Sequence, residues 1–461
     1  MAGDEAAAGG KPEAGTPVAA SSGRSSRASR FIKGSTEPKP SNLDGTGIWA
    51  MLMHPLSVLL LCFPLGILSH ALGWGDSATF WLNFVALIPL AKILGDATEE
   101  LAAGLKNDML AGLLNATFGN AVEMVIMVQT LRAGLVDVVK ASLLGSVLSN
   151  LLLVLGMSFF CGGLVSNRRK SPSRATQRQS LVRESVSNVG NVQDTSGLRE
   201  ETYTELVGEK VQTFSVMTAL VNTSMLLLSC LSFSLVTVFY SETHVDGEPA
   251  LNEVILPISR TCSIIIMIAY GAYIFFQLVT HREMLQQGEE KGEEEEEEKG
   301  EEGPGMQMWL AMVILFVATV CTAVSSEYLV GAVEAVVQSS SLSEAFIGVI
   351  LLPIVGNACE HMAAVRFAIQ DRPSLAIGIA VGSSTQIALF VVPFAVLMAW
   401  VMDVDMTLDF GGLHTSVMVL SVLILLSVVL DGRSNWLEGW MLMSAYAFIA
   451  VMYWFVHAED L

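Results

Sequence analysis

The chain has 461 residues, of which 52% are hydrophobic and only 15% are charged. Its mean hydropathy of +0.55 is far above that of an average soluble protein and is typical of a chain that crosses a membrane several times. The formal net charge of -20 argues against nucleic acid as a partner, because that role requires a basic surface.

The chain begins with a small, polar and unpatterned segment, which predicts a disordered cytosolic tail over residues 1–46. Beyond the tail, eleven apolar stretches are long enough to cross a bilayer, for which about 20 helical residues suffice. The sequence therefore predicts an all-α membrane protein with eleven transmembrane helices. Their approximate ranges are 47–73, 79–104, 108–132, 137–165, 213–240, 253–280, 307–338, 342–368, 373–402, 412–430 and 437–457.

These stretches group into an extra N-terminal helix (47–74) and two sets of five helices, over 79–281 and 307–461. A Ser- and Arg-rich cytosolic loop over 166–212 follows the fourth helix, and an acidic cytosolic segment over 282–305 separates the two sets. The acidic segment is predicted either to concentrate or sense calcium or to be a solvated linker. Its longest run of glutamates is Glu293, Glu294, Glu295, Glu296, Glu297 and Glu298.

The distribution of basic residues predicts the orientation, because Lys and Arg collect on the cytosolic side of membrane proteins. If the N-terminal tail is cytosolic, alternate loops place Arg168, Arg169 and Arg372 on the same side. Only Arg132 and Lys140 fall on the other side. Eleven crossings then put the C-terminus in the lumen.

Two short patterns occur twice in one register. The motif Gly-Asn-Ala-x-Glu begins at Gly119 and again at Gly356, 237 residues later. GSVLSN begins at Gly145 and GSSTQI at Gly382, again 237 residues later. Five crossings separate the two copies, so they run in opposite directions through the bilayer. This arrangement predicts an inverted repeat of five plus five helices, with the substrate near the membrane midplane.

Within each motif the glycine loosens the helix, and Asn and Glu stand three residues apart on one face. Glu123 and Glu360 together would form a site with two carboxylates and with neutral oxygens around them, which are the hard ligands that calcium prefers. The six cysteines are scattered without CxxC spacing and predict neither disulfides nor a zinc site. The candidate metal ligands are Gly119, Asn120, Glu123, Ser146, Gly356, Asn357, Glu360, Ser383 and Gln386.

Each of these residues also has a simpler interpretation. The two glutamates could be buried carboxylates that neighbouring residues satisfy, although a carboxylate within a membrane helix costs about 2.5–3.5 kcal/mol and is usually functional. The asparagines could be hydrogen-bonding links between helices. Glu99, Glu327 and His361 are candidates for a proton or cation path, and His361 could equally be a hydrogen-bonded structural residue.

The carboxylate pair suggests a mechanism. Two close carboxylates cannot both remain ionised at low cost without a cation, so at least one is expected to hold a proton. A divalent cation would displace that proton. If occupancy by one excludes the other and the site faces the two sides of the membrane in turn, the result is antiport.

Several motifs together resemble the calcium/cation–proton exchanger family of vacuolar membranes. They are GNAVE, GNACEH, GDATEELA from Gly95, GSSTQIALFVVP from Gly382 and the acidic run between the halves, and the resemblance extends from about residue 47 to the end. It implies eleven helices with an inverted repeat, export of cytosolic calcium into an acidic vacuole, and cation binding by Glu123, Glu360 and Gln386. The Ser/Arg-rich loop is longer than the family leads us to expect.

We therefore predict a secondary active transporter and not an enzyme. Its substrates would be Ca²⁺, with manganese or other divalent cations as further candidates, and H⁺, and no cofactor is expected. A sodium-driven calcium exchanger of the same superfamily is the main alternative, and a calcium channel is a second. The bilayer is the predicted partner, and the sequence leaves homo-oligomerisation open.

Overall fold

The computed structural model describes residues 54–105, 108–165, 211–243, 254–281 and 306–456. The predicted N-terminal tail, the acidic segment over 282–305 and all but the last residues of the Ser/Arg-rich loop lie outside these described residues. The described part is mostly helical, as the apolar stretches predict.

In the first half a 3₁₀ helix (Pro55–Leu61) leads into the first α-helix, a π-helical turn (Ser149–Val154) joins α5 to α6, and another (Phe276–Thr280) follows α8. The elements of this half are α1 (Cys62–Leu72), α2 (Asp76–Gly104), α3 (Asp108–Phe118), α4 (Ala121–Arg132), α5 (Val136–Leu148), α6 (Leu155–Val165), β1 (Val211–Thr213), α7 (Val216–Thr243) and α8 (Leu256–Phe275).

In the second half one π-helical turn (Ile347–Leu351) joins α11 to α12, and another (Ile387–Val391) joins α14 to α15. The elements are α9 (Met308–Gly331), α10 (Val333–Ser339), α11 (Glu344–Phe346), α12 (Leu352–Gly356), α13 (Ala358–Ile369), α14 (Pro373–Gln386), α15 (Val392–Val401), α16 (Gly412–Val429), β2 (Arg433–Asn435) and α17 (Trp436–Phe455).

Among the described residues, eight helices are long and apolar enough to cross a membrane, and a bent pair formed by α11–α12 and α13 makes a ninth. Two of the eleven predicted crossings do not reach this standard. The stretch 108–132 is broken at Gly119 and Asn120 into two short helices, α3 and α4. The stretch 437–457 corresponds to α17, whose hydropathy is lowered by Glu438 and by several Trp and Tyr residues.

The helices pack into two apolar clusters, one around α2, α4 and α9 and the other around α5–α6, α14–α15 and α17. The segment Val136–Val165, which contains α5 and α6, is the most deeply buried of the membrane-capable helices, whereas Pro55–Leu72 lies almost entirely at the surface. A helix that is apolar on all sides is typical of a buried or membrane-spanning position. The surface position of α1 agrees with its prediction as an extra helix.

Corresponding helices of the two halves have matching bounds. α4 begins at Ala121 and α13 at Ala358, and both the starts and the ends of these helices are 237 residues apart. The starts of α5 and α14, Val136 and Pro373, have the same separation. The 237-residue spacing of the two motifs is therefore also a spacing of secondary structure.

A two-stranded antiparallel sheet was not predicted. β1 lies at the end of the Ser/Arg-rich loop and pairs with β2, with Val211 opposite Asn435 and Thr213 opposite Arg433. Three-residue strands are too short to show the alternation by which a strand is recognised in a sequence. The sheet links the two halves of the chain at one end of the helix bundle.

A close crossing between α5 and α12 depends on Gly145. A β-carbon at this position would lie 2.2 Å from the carbonyl oxygen of Val349 and 2.6 Å from the side chain of Pro353. Its repeat counterpart, Gly382, has no atom within 4 Å of the equivalent point. The same motif glycine therefore permits close packing in only one half.

We expect Gly145→Ala to lower the free energy of unfolding by about 1–3 kcal/mol, because the methyl group would push the two helices apart. Gly382→Ala is the matched control and should leave the stability unchanged or slightly raised, since alanine favours the helix. Thermal unfolding of the purified variants in detergent measures the difference. Equal melting temperatures for the two variants would contradict the packing that the structure shows.

Candidate functional site

The two Gly-Asn-Ala motifs lie at helix breaks. Asn120 separates α3 from α4, and Asn357 separates α12 from α13, where the helix axis bends by 58°. The two asparagines have similar backbone angles, with φ of -103° and -88°, and neither caps its helix with its side chain. Both amide groups are therefore available for contacts with other helices.

Each motif glutamate stands in the first turn of the helix that follows its break. The free N–H groups and the dipole of a helix N-terminus stabilise negative charge there. Glu123 is 6% exposed, and its Oε1 lies 3.0 Å from the point where Gly356 would carry a β-carbon. A glycine in the second motif thus admits the carboxylate of the first.

The two asparagine side chains donate hydrogen bonds across the repeat. Asn120 Nδ2 donates to Gln386 Oε1 at 2.7 Å, and Asn357 Nδ2 donates to the carbonyl oxygen of Ser146 at 3.2 Å. Each bond joins a motif in one half to the helix that carries the second echo in the other half. These bonds orient both amide groups, with their oxygens on the opposite side from the donors.

Four buried oxygens of these motifs accept no hydrogen bond from any described residue. They are Asn120 Oδ1, Glu123 Oε1, Asn357 Oδ1 and Glu360 Oε2. The carboxylates of Glu123 and Glu360 are close enough to repel each other electrostatically. Since buried polar atoms nearly always have partners, a cluster of unpaired acceptors indicates a ligand that supplies positive charge.

The chemistry of these oxygens fits a hard divalent cation. Carboxylate and amide oxygens are the ligands of calcium, which accepts six to eight of them in flexible geometry. Within the described part of the chain, no group of three or more His, Cys, Asp or Glu side chains could hold a metal ion. A cation here would therefore depend on the neutral amide and carbonyl oxygens as well as on the two carboxylates.

The remaining predicted ligands differ in their placement. Gly119 lies at the surface in the turn before Asn120, and Ser146 takes part through its backbone carbonyl. Ser383 is half-buried in α14, and the structure shows no side-chain hydrogen bond for it among the described residues. Its neighbour Ser384 instead donates to the carbonyl oxygen of Val147, 237 residues earlier in the chain, at 3.3 Å.

Sequence reasoning also missed Asn150. This side chain is completely buried in the π-helical turn after α5, and neither atom of its amide has a partner among the described residues. It is the last residue of GSVLSN and has no polar counterpart, because Ile387 occupies the matching position of GSSTQI. Its presence within an apolar stretch was the available signal.

The residues predicted for a proton or cation path are dispersed. Glu99 lies at the surface of α2, near enough to Glu360 to interact with it electrostatically, and Lys92 and Asp96 form an ion pair on the same helix. Glu327 lies at the surface of α9, and no hydrogen bond links it to either motif in the described structure. The predicted regulatory glutamates at 293–298 lie outside the described residues.

His361 follows Glu360 and is half-buried. Its Nδ1 lies 2.9 Å from the carbonyl oxygen of Asn357, so the Nδ1–H group donates to that oxygen. The ring also borders a cavity of about 540 Å³ between α6 and α13. The lining residues are Met157, His361, Met362, Val365, Arg366, Ile369 and Gln370.

A family model described as "Sodium/calcium exchanger protein" matches residues 75–279 and 310–455. The chain is 38% identical over 408 residues to vacuolar cation/proton exchanger 1b of Oryza sativa subsp. japonica, an alignment that covers 87% of this chain and 81% of the relative. It is 36% identical over 406 residues to a Ca(2+)/H(+) antiporter of Aphanothece halophytica, with 86% and 95% covered.

Solved structures show the same fold. The Ca2+/H+ antiporter protein YfkE is 31% identical, with a TM-score of 0.64 and with 87% of this chain and 99% of that chain covered. The H+/Ca2+ exchanger CAX is 12% identical, with a TM-score of 0.55 and coverage of 88% and 93%, and this likeness concerns the fold alone. These matches show that the chain belongs to the sodium/calcium exchanger protein family and, within it, to the cation/proton exchangers.

Proposed function

We propose that this protein is a secondary active antiporter that exchanges cytosolic Ca²⁺ for luminal H⁺ across a vacuolar membrane by alternating access. The observation that carries the proposal is the group of four buried, unpaired oxygens from the two motifs, two of them carboxylate oxygens. A binding site with acceptors and no donors selects positive charge. The names of the relatives, vacuolar cation/proton exchangers and Ca2+/H+ antiporters, support the same substrates.

The exchange follows from the electrostatics of the pair. Glu123 and Glu360 repel each other when both are ionised, and each is stabilised either by a proton or by a shared divalent cation. Binding of Ca²⁺ therefore releases protons, and protonation releases Ca²⁺. If the loaded forms alone change their orientation in the membrane, a proton gradient drives calcium transport.

The proposed architecture has eleven crossings. Nine are the membrane-capable helices including the bent pair; the broken pair α3–α4 and the helix α17 complete the number. The identical spacing of α4 and α13, and of α5 and α14, supports a repeat, and five crossings between the copies make it inverted. Asn120 and Asn357 would then approach the midplane from opposite sides.

The proposed orientation has a cytosolic N-terminus and a luminal C-terminus. Arg372 and Arg433 lie at the end of the bundle that carries the small sheet, because Thr213 pairs with Arg433 and the N–H of Ser215 donates to Ser374 Oγ at 3.3 Å. Basic residues at this end support its assignment to the cytosol. The cavity beside His361 lies along the same half of α13 and would give cytosolic Ca²⁺ access to the site.

The first prediction concerns the carboxylate pair. Glu123→Gln and Glu360→Gln should each reduce Ca²⁺ uptake into vesicles with an acidic interior by about 100-fold or more, because loss of one partner of a buried charged site costs about 3–5 kcal/mol. Glu242→Gln, at the exposed end of α7, is the matched control and should retain uptake. Substantial uptake by either motif variant would contradict the proposed role of the pair.

The second prediction concerns the driving ion. Uptake by the wild-type protein should cease when a protonophore dissipates the pH gradient and should not respond to an imposed sodium gradient. Uptake that follows sodium would instead support the sodium-driven exchanger. Passive flux that ignores both gradients would support a channel.

The third prediction concerns the hydrogen bond between Asn120 and Gln386. Asn120→Ala and Gln386→Ala should each raise the apparent KM for Ca²⁺, and the double variant should raise it by less than the product of the single effects. Residues in direct contact show coupling of about 0.5–3 kcal/mol in such a cycle. Independent effects would show that this bond does not orient the site.

A further inference from the structure

We propose that Gln212 and Asp371 are positioning residues for the exchange: they hold the C-terminal end of α13 against α6 and keep open the cavity that leads toward Glu360. This inference rests on the proposed antiport function, since it assigns a role to residues that do not touch the cation. Neither residue belongs to a motif that the sequence analysis singled out.

Gln212 is a polar residue in an unusually enclosed position. It is the central residue of β1 and is only 2% exposed. Its Nε2 donates to the carbonyl oxygen of Ala368 at 2.9 Å and to Asp371 Oδ1 at 2.8 Å, so both amide hydrogens are used. Both acceptors lie at the C-terminal end of α13, the helix that begins two residues before Glu360.

β1 connects this end of α13 to several other helices. Gln212 pairs with Ser434 of β2, and its Oε1 fills the space beside Gly162 of α6, where a β-carbon would lie 2.3 Å away. Two residues further, the ring of Phe214 stacks on Phe159 of α6, with 6.0 Å between the ring centres. We call residues 211–215 the strap, because they tie α13 to α6 and to β2.

α13 is well suited to be controlled from its end. At its N-terminus the chain bends by 58° at Asn357, and at its C-terminus Asp371 adopts a left-handed conformation with φ of +66°. The helix is therefore a rigid segment between two irregular joints. Because the strap contacts the second joint, it limits how far the helix can turn about the first.

The cavity of about 540 Å³ shows what such a turn would change. Six of its lining residues belong to α13 or to the residue directly after it, and the seventh, Met157, belongs to α6. The width of the cavity is therefore set by the separation of these two helices. The strap fixes that separation at one end, whereas the ring of His361 borders the cavity at the other, beside Glu360.

The expected consequence is a change in apparent affinity. If the strap stabilises the orientation in which the cavity is open, its loss lowers the population of protein that can accept Ca²⁺ from this side. The apparent dissociation constant equals the intrinsic one divided by the competent fraction. A contact with a merely structural role would instead lower the amount of folded protein and leave the apparent KM unchanged.

A matched pair of variants at Asp371 tests this with little risk to folding, because the residue is exposed. Glycine and asparagine both tolerate the left-handed conformation, but only asparagine retains an oxygen that can accept from Gln212. Asp371→Gly should raise the apparent KM for Ca²⁺ about threefold, in keeping with the loss of one buried hydrogen bond, and Asp371→Asn should match the wild type. Gln212→Ala should raise it about threefold to tenfold, since both bonds are lost.

The assay is pH-driven Ca²⁺ uptake into phosphatidylcholine and phosphatidylglycerol vesicles, with rates normalised to folded protein. Thr213→Ala is the control, because this exposed neighbour in β1 makes no side-chain hydrogen bond in the described structure. Equal KM values for Asp371→Gly and Asp371→Asn, or a wild-type KM for Gln212→Ala, would overturn the proposal.

A second readout does not require transport. In a background without the six native cysteines, Met362→Cys places a thiol in the cavity wall. Gln212→Ala should slow its labelling by a membrane-impermeant maleimide about threefold, and unchanged labelling would contradict the role of the strap. If the wild type showed no pH-driven uptake while labelling responded as expected, the antiport proposal would fail and the control of the cavity by the strap would stand.

Discussion

The contact between the Glu123 carboxylate and the Gly356 backbone is the feature on which the rest of the site depends. Because glycine has no β-carbon, the carboxylate of one motif reaches the helix break of the other. This approach brings Glu123 close enough to Glu360 for their charges to interact. Inside a membrane such a pair is costly without a compensating positive charge. The need for that charge connects the packing of the helices to the transport of ions.

The two asparagines divide the roles of their amide groups. Their nitrogens donate to Gln386 and to the carbonyl oxygen of Ser146, each in the opposite half of the chain, and so contribute to the scaffold. Their oxygens have no donors in the described structure and are available to a cation. A site assembled in this way is held in place by hydrogen bonds that do not compete with the cation. The first-turn position of both glutamates adds the field of two helix N-termini.

The sequence alone was sufficient to predict the spacing of the repeat, because a Gly-Asn-Ala-x-Glu motif in an apolar stretch implies both a helix break and a membrane-embedded carboxylate. The starts and ends of α4 and α13 reproduce that spacing. Contacts set by tertiary structure were beyond its reach. The acceptors of Gln212 lie 156 and 159 residues away in the chain, and the close approach at Gly145 has no counterpart at Gly382 although both glycines begin the same pattern. Asn150 was missed because the repeat has no polar residue in its matching position.

The central claim is that one pair of carboxylates binds either protons or Ca²⁺, and proton release on binding tests it most directly. Calorimetric titration of the purified protein with Ca²⁺ in buffers of different ionisation enthalpy gives the number of protons released per ion. Because the ligands must lose their protons to bind a metal ion, the wild type should release at least one proton at a pH where the pair is protonated. Calcium binding without proton release would contradict the account.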